Sequence, residues 1–179
     1  VSLVGANIGR KPNFEAIAWF TFLRSRPVLI GVCSDQSHYT NGGVKENGTF
    51  SVNIPPAELV VETDYCGLNS GSKVDKSDLF DVFYGDLKTA PMIRECRVNM
   101  ECRLTQTLEM GNNELLVGEV VASYVDEECL SEGKCDLDKV NPFLYEEGRI
   151  PPSYRKIGGS FAAAFRVGTK YKPMSKYEK

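Results

Sequence analysis

Two polar segments carry the residue types from which chemistry could be built. In Ser37-His38-Tyr39-Thr40 the chain's only histidine has hydroxyl-bearing residues on both sides, and it stands where an apolar run gives way to a helix-like stretch. A hydroxyl at a helix start lies beside free backbone N–H groups and the positive end of the helix dipole, the arrangement that holds a phosphate. In Asn69-Ser70-Gly71-Ser72-Lys73-Val74-Asp75-Lys76, the residues Ser70, Lys73 and Lys76 join an adaptable loop to two cations. A chain of formal net charge -3 that binds a phosphate must supply positive charge locally, and these lysines are the candidates. The bland alternative for both segments is a helix cap followed by a solvated turn. A third element, Glu15-Ala16-Ile17-Ala18-Trp19-Phe20, places the only tryptophan in an alternating strand, as core or as flat apolar area beside a planar ring.

The common catalytic signatures are missing. The sequence has no Gly-x-Ser-x-Gly elbow, no Gly-x-x-x-x-Gly-Lys loop and no Gly-x-Gly-x-x-Gly fingerprint, and one histidine restricts both triads and metal sites. Hydrolase and kinase readings lose weight, and no catalytic residue or metal ligand is assigned.

The elements that must position these residues are mostly strands. Runs at 1–6, 15–22, 28–34, 49–54, 96–106, 114–125 and 161–167 are rich in Val, Ile, Phe or Tyr, or alternate, and most are bounded by Gly, Pro, Asn or Ser. Helices are few and short: one capped by Thr40 and running to Asn47, one opened by Pro56 in PAELVVETDYCG, and one in DKSDLFDVFYG, with Gly67 and Gly85 as stops. Strands with small helices in their connections predict a mainly β fold, a Greek-key barrel or sandwich with α insertions.

At 179 residues and 42% hydrophobic composition the chain suffices for one domain with a proper core. Interspersed charge lacks the positive field that nucleic acid or an anionic membrane selects, and no apolar run approaches the roughly 20 residues that span a bilayer. The chain opens on VSLVGA, already strand-like and without an initiator methionine, which leaves room for a preceding segment. None of the six cysteines forms a Cys-x-x-Cys pair. In CRVNMECRL the alternation puts Cys96 and Cys102 on the apolar face and Arg97, Asn99, Glu101 and Arg103 on the other, while Cys129 and Cys135 lie in a polar segment. Buried reduced thiols suit a reducing cytoplasm.

Taken in order, the pieces resemble one family. Asn13-x5-Trp19, SHYT, GTFSVNIPP, DYCGLNSGSKVDK, APMIRECRVNMEC and GEVVASYVDEECL are similar to the flavin reductase-like, FMN-binding split-barrel family, in particular its flavoredoxin-type members. The match runs from residue 1 to about 165. It implies a homodimeric six-stranded Greek-key split barrel over residues 1–168, with a charged tail at 169–179. FMN would bind near the subunit interface, and electrons would come from NADH, NADPH or a protein donor. The implied function is an FMN-dependent oxidoreductase, either an NAD(P)H:flavin reductase or a flavoredoxin-like electron carrier. A non-catalytic FMN-binding or flavin-storage protein is the alternative, and a barrel that has lost flavin and serves as an interaction module a third.

Carried over by position, the resemblance puts Asn13 and Trp19 at the isoalloxazine ring and runs the backbone of Ala18, Trp19, Phe20 and Thr21 along its edge. Ser37, His38, Tyr39 and Thr40 become the phosphate-binding turn. Lys76, with Ser70 and Lys73, becomes the basic group near the flavin, where a cation favours the reduced, anionic ring. YRKIGG resembles the family's Tyr-x-x-Leu-Gly motif and brings Tyr154 to the cofactor face. Two positions depart from the family pattern: Ala16 replaces a threonine, and Tyr124 replaces a histidine that lies by the flavin in relatives.

Overall fold

The computed structural model of the chain describes residues 1–148 and 150–171, so the tail expected at 169–179 lies outside the described residues from 172 onward. Its strands are β1 (Ser2–Ile8), β2 (Lys11–Ile17), β3 (Phe20–Ser25), β4 (Val28–Asp35), β5 (Thr49–Ile54), β6 (Val82–Phe83), β7 (Met92–Ile93), β8 (Val98–Met110), β9 (Asn113–Val125), β10 (Leu130–Ser131), β11 (Lys134–Cys135), β12 (Phe143–Glu146) and β13 (Ser153–Lys156). The helices are α1 (Tyr39–Asn47), α2 (Val60–Leu68) and the single turn α3 (Leu137–Val140).

One antiparallel sheet dominates, with strand order β2-β1-β5-β8-β9-β4-β3. Its two end strands, β2 and β3, are one run of chain interrupted only at Ala18 and Trp19. The sheet therefore curls until its ends meet, and the seven paired segments form a six-stranded split barrel. The run read as 15–22 thus begins earlier and breaks at 18–19, because the first half pairs with β1 and the second with β4. At the break the Trp19 carbonyl still accepts from Cys33 N at 2.9 Å.

Inside the barrel, inward positions of β1, β2, β4, β5, β8 and β9 meet in one cluster that includes Val4, Ile17, Ile30, Val32, Phe50, Val52, Met100 and Leu116, with Phe20 of β3 packed against it and Val44 of α1 closing one end. Gly118 lies where the Phe50 ring crosses β9, and a Cβ there would be driven into that ring. A second cluster, Leu3, Phe14, Cys66, Phe80, Ile93 and Cys96, packs α2 and the 78–96 segment on the outside of β1 and β2.

Several expectations are corrected. Residues 75–85 form turns and β6 instead of a helix: Asp75 accepts from Ser77 N, Asp81 N donates to Glu95, and Phe83 pairs with Met92. Their backbone groups are satisfied across the loop, which leaves no helical ladder. Residues 161–167 form no strand, because among the described residues no strand lies beside them, and Phe161 and Phe165 are fully exposed. Thr40 does not cap α1; His38 occupies the cap position and Thr40 sits inside the helix. The second helix ends at Leu68, one residue past Gly67. Cys96 and Cys102 are buried as expected, yet Asn99 and Glu101 are buried too, since β8 is irregular between Glu101 and Cys102 and loop 84–95 covers its other face. Glu101 accepts from Asp86 N at 3.1 Å, Leu87 N at 2.7 Å and the Tyr124 hydroxyl at 2.8 Å. Cys129 is buried and Cys135 exposed. Among the described residues, no helix is long and apolar enough to cross a membrane.

Candidate functional site

Two adjoining chambers lie at the barrel seam. The larger, about 510 Å³, is lined mainly by apolar atoms, with Ala18 and Trp19 of the strand break on one side and Leu68, Tyr145 and Tyr154 on the other. The smaller, about 250 Å³, is polar and contains Glu15, Ser37, Thr40, Ser70 and Lys76. Ala16, His38, Gly67 and Leu68 line both, so the two chambers adjoin at these residues.

The apolar chamber owes its walls to the breaks in the elements. Leaving β1 for β4, the chain exposes the Trp19 side chain, which is 57% accessible and no part of the core. Hairpin β12–β13 brings up Tyr145 and Tyr154, with the Tyr154 ring edge-on to Phe143 at 5.3 Å between centroids. The Tyr154 hydroxyl donates to Asp64 Oδ1 of α2 at 2.7 Å, and burial together with that carboxylate raises its pKa far above the usual phenol range. Flat aromatic walls around an apolar slot of this size suit a planar ring system.

The polar chamber is built on the start of α1. His38 has extended backbone and makes no side-chain cap bond, and the first turn holds no acidic residue, so the helix end faces the chamber with its positive pole unopposed on its own element. Lys76 is 2% exposed and donates to the carbonyls of Phe14 at 2.8 Å and Cys66 at 3.0 Å. An ammonium carries three N–H donors, so one remains for the chamber. Burial lowers the Lys76 pKa, with Cys66 and Glu15 acting the other way. Thr40, also 2% exposed, accepts from Asn13 Nδ2 at 2.8 Å, which leaves its hydroxyl proton to donate. His38 Nδ1 lies 2.8 Å from Glu15 Oε2, and this hydrogen bond raises the imidazole pKa against the opposing effect of burial. Glycine at 71 is required: a Cβ there would collide with the Asn13 amide and the Tyr39 ring. The donor set, cationic and neutral N–H and O–H groups at a bare helix start, fits a phosphate.

The structure brings Ala18, Trp19, His38 and Tyr154 to the apolar chamber and Ser37, His38, Tyr39, Thr40, Ser70 and Lys76 to the polar one. Lys76 therefore stands with the phosphate-type donors and not beside the ring-sized slot. The Ser37 hydroxyl is engaged by Asp35 Oδ1 at 2.6 Å. Asn13 and Lys73 line an adjoining groove, while Phe20 packs against the barrel core and Thr21 points to solvent. Tyr124, bonded to Glu101, lines neither chamber. Sequence reasoning missed Glu15, Asp64 and Tyr145. A lone carboxylate two residues from Asn13 and two from Ile17 on one strand was a usable signal for Glu15; the other two depend on a helix and a hairpin meeting in space.

The chain matches the model of the flavin reductase like domain over residues 1–153. It is 48% identical to a flavoredoxin from Methanosarcina acetivorans, with a TM-score of 0.90 covering 94% of this chain and 89% of that one. Flavoredoxin of Desulfovibrio vulgaris (Miyazaki F) is 31% identical, with a TM-score of 0.86 over 93% and 91%. Among curated relatives, a ferric-chelate reductase (NAD(P)H) of Archaeoglobus fulgidus is 30% identical over 72% of this chain and 74% of its own length. A mainly β split barrel whose seam carries a two-chambered site is thus the class of protein defined here. The chain belongs to the flavin reductase-like family.

Proposed function

We propose that the chain is an FMN-dependent oxidoreductase, a flavin reductase or a flavoredoxin-like electron carrier, with residues 1–168 forming the binding domain. One observation carries the reading: the site is bipolar, with an aromatic, ring-sized chamber adjoining, at His38, a polar chamber of phosphate-type donors. The bound flavin would supply the redox chemistry, accepting electrons from NADH, NADPH or a protein donor and passing them on. Trp19, Tyr145 and Tyr154 flank the ring, and Ala16 and Leu68 exclude water where the chambers adjoin. Lys76, Thr40, His38 and the start of α1 hold the phosphate. The exposed Trp19 edge leaves one side open, so a donor can stack without a dinucleotide-binding motif.

A homodimer belongs to the same proposal. Phe22, Leu23 and Val28 on β3 and β4, and Phe161 and Phe165 beyond β13, are exposed on the single chain and offer apolar area to a second copy.

The absorption spectrum of freshly purified protein tests binding, with flavin bands near stoichiometric amounts expected. Anaerobic mixing with NADH or NADPH should bleach those bands. A colourless protein that takes up no added FMN refutes the reading, and a coloured protein that neither nicotinamide nor a strong chemical reductant bleaches refutes its redox half.

A further inference from the structure

Glu15 is 6% exposed, stands at the inner wall of the polar chamber and has one partner, His38, on Oε2; its Oε1 is buried and makes no hydrogen bond. Burying a carboxylate with one oxygen unsatisfied is costly unless a nearby cation compensates it. Among the described residues, the charged groups facing the pair are Lys76, which is tied to two carbonyls, and Asp35 at the end of β4, whose Oδ1 is engaged with Ser37. His38 is thereby fixed by Nδ1, and Nε2 is the ring nitrogen left without a partner among the described residues, on a side chain that lines both chambers.

We propose that Glu15 is the positioning residue that makes this site select a phosphorylated flavin over its unphosphorylated parent, by holding His38 so that Nε2–H is presented to the phosphate. The inference rests on the function proposed above and goes beyond it, since it assigns the selectivity to a residue that does not itself touch an anion. Glu15 acts in two opposed ways. Its charge repels a phosphate directly, and it favours the cationic imidazole that attracts one. Which effect dominates depends on pH. At acid pH, well below the ordinary imidazole range, the imidazole is protonated with or without Glu15, so the repulsion dominates. As pH rises through the ordinary imidazole range, an imidazole without its carboxylate loses its proton first, and the attraction goes with it. The raised His38 pKa, driven first by the Glu15 hydrogen bond, agrees with this division.

The test compares wild type with Glu15→Gln, which keeps the shape and removes the charge, in FMN and riboflavin titrations at pH 5.5 and pH 8. Taking the ratio of dissociation constants, variant over wild type, cancels the titration of the phosphate itself. For FMN the ratio should be one or lower at pH 5.5 and rise roughly three- to tenfold by pH 8, while for riboflavin it stays flat. A merely structural role would raise both ratios at both pH values, and that result overturns the proposal. Because His38 is the only histidine, its imidazole proton signal is unique and gives a second readout on ligand-free protein without any flavin. Its titration midpoint should lie above 6.5 in wild type and fall in Glu15→Gln, and inorganic phosphate should shift the wild-type signal. A wild-type midpoint at or below 6.5, or no response to phosphate, overturns the inference even if Glu15→Gln does not fold. A wild type that binds no flavin yet meets both conditions refutes the proposed function and leaves Glu15 as the organiser of a phosphate site.

Discussion

Replacing Thr40 by valine separates the role the structure shows for that hydroxyl, accepting from Asn13, from the phosphate contact proposed for it. Thr40 lies one residue inside α1, so no helix cap is lost, and valine keeps the branched shape of a side chain that is 2% exposed. What disappears is the acceptor for Asn13 Nδ2 and a hydroxyl donor in the lining of the polar chamber. Asn13 is 5% exposed, and leaving its amide without that partner costs about 1–3 kcal/mol. For a chain of this size the melting temperature should therefore fall by roughly 3–10 °C. Losing one hydrogen bond to a charged group costs about 1.5–3 kcal/mol, so FMN affinity should drop roughly ten- to hundredfold. Riboflavin, which lacks the phosphate, should lose less than about threefold by the same scale. Flavin-fluorescence titrations of wild type, Thr40→Val and Thr40→Ser give the numbers, and serine should restore FMN binding. Equal losses for both flavins, or an unchanged FMN affinity, would refute the assignment of Thr40 to a phosphate and leave it as a support for Asn13 alone.

Three further outcomes are expected. Cys96 and Cys102 should react slowly with a thiol reagent in the folded protein and Cys135 quickly, as mass spectrometry of partially labelled protein will report; burial also holds the Cys66 thiol up at about 11, so it should stay unlabelled at pH 8. Glu101→Ala strands three donors from Asp86, Leu87 and Tyr124 and should cost at least about 3 kcal/mol in urea unfolding, while an unchanged midpoint would mean that loop 84–95 does not depend on that carboxylate. Light scattering should give twice the chain mass, and shortening the chain after Lys156 should weaken the dimer by removing Phe161 and Phe165; a monomer with flavin fully bound would sink the dimer proposal.

The barrel was legible because its signal is local. Strands such as β5, with Phe50 and Val52 alternating against Ser51 and Asn53, announce both their type and their inner face within six residues. What failed was decided by distant partners. Residues 75–85 carry helix formers and helix stops, yet Asp81 N is satisfied by Glu95 and Phe83 by Met92, and neither can be seen from the segment itself. Glu101 looked solvent-facing by alternation and is buried because loop 84–95 folds over it. In the site, the SHYT turn and Lys76 were marked by residue type and now line one chamber. The Tyr154–Asp64 contact joins residues 90 positions apart and had no local trace.

The topology accounts for why the site is where it is. A barrel closed by one continuous strand would have had no opening at its seam, because the backbone of every residue would be paired on both sides. Here the closing strand changes partners between Ile17 and Phe20, and the two residues released, Ala18 and Trp19, form the wall of the apolar chamber. The same strand carries Glu15 two residues before the break, on a segment still fixed by pairing with Val4 of β1. The wall of the apolar chamber is therefore backbone outside the β2 and β3 ladders, held where the Trp19 carbonyl accepts from Cys33 N, whereas the carboxylate beside His38 is held rigidly by the sheet. On this arrangement, substitutions at Ala18 should alter how tightly the ring is gripped, and substitutions at Glu15 should alter which tail the ring carries.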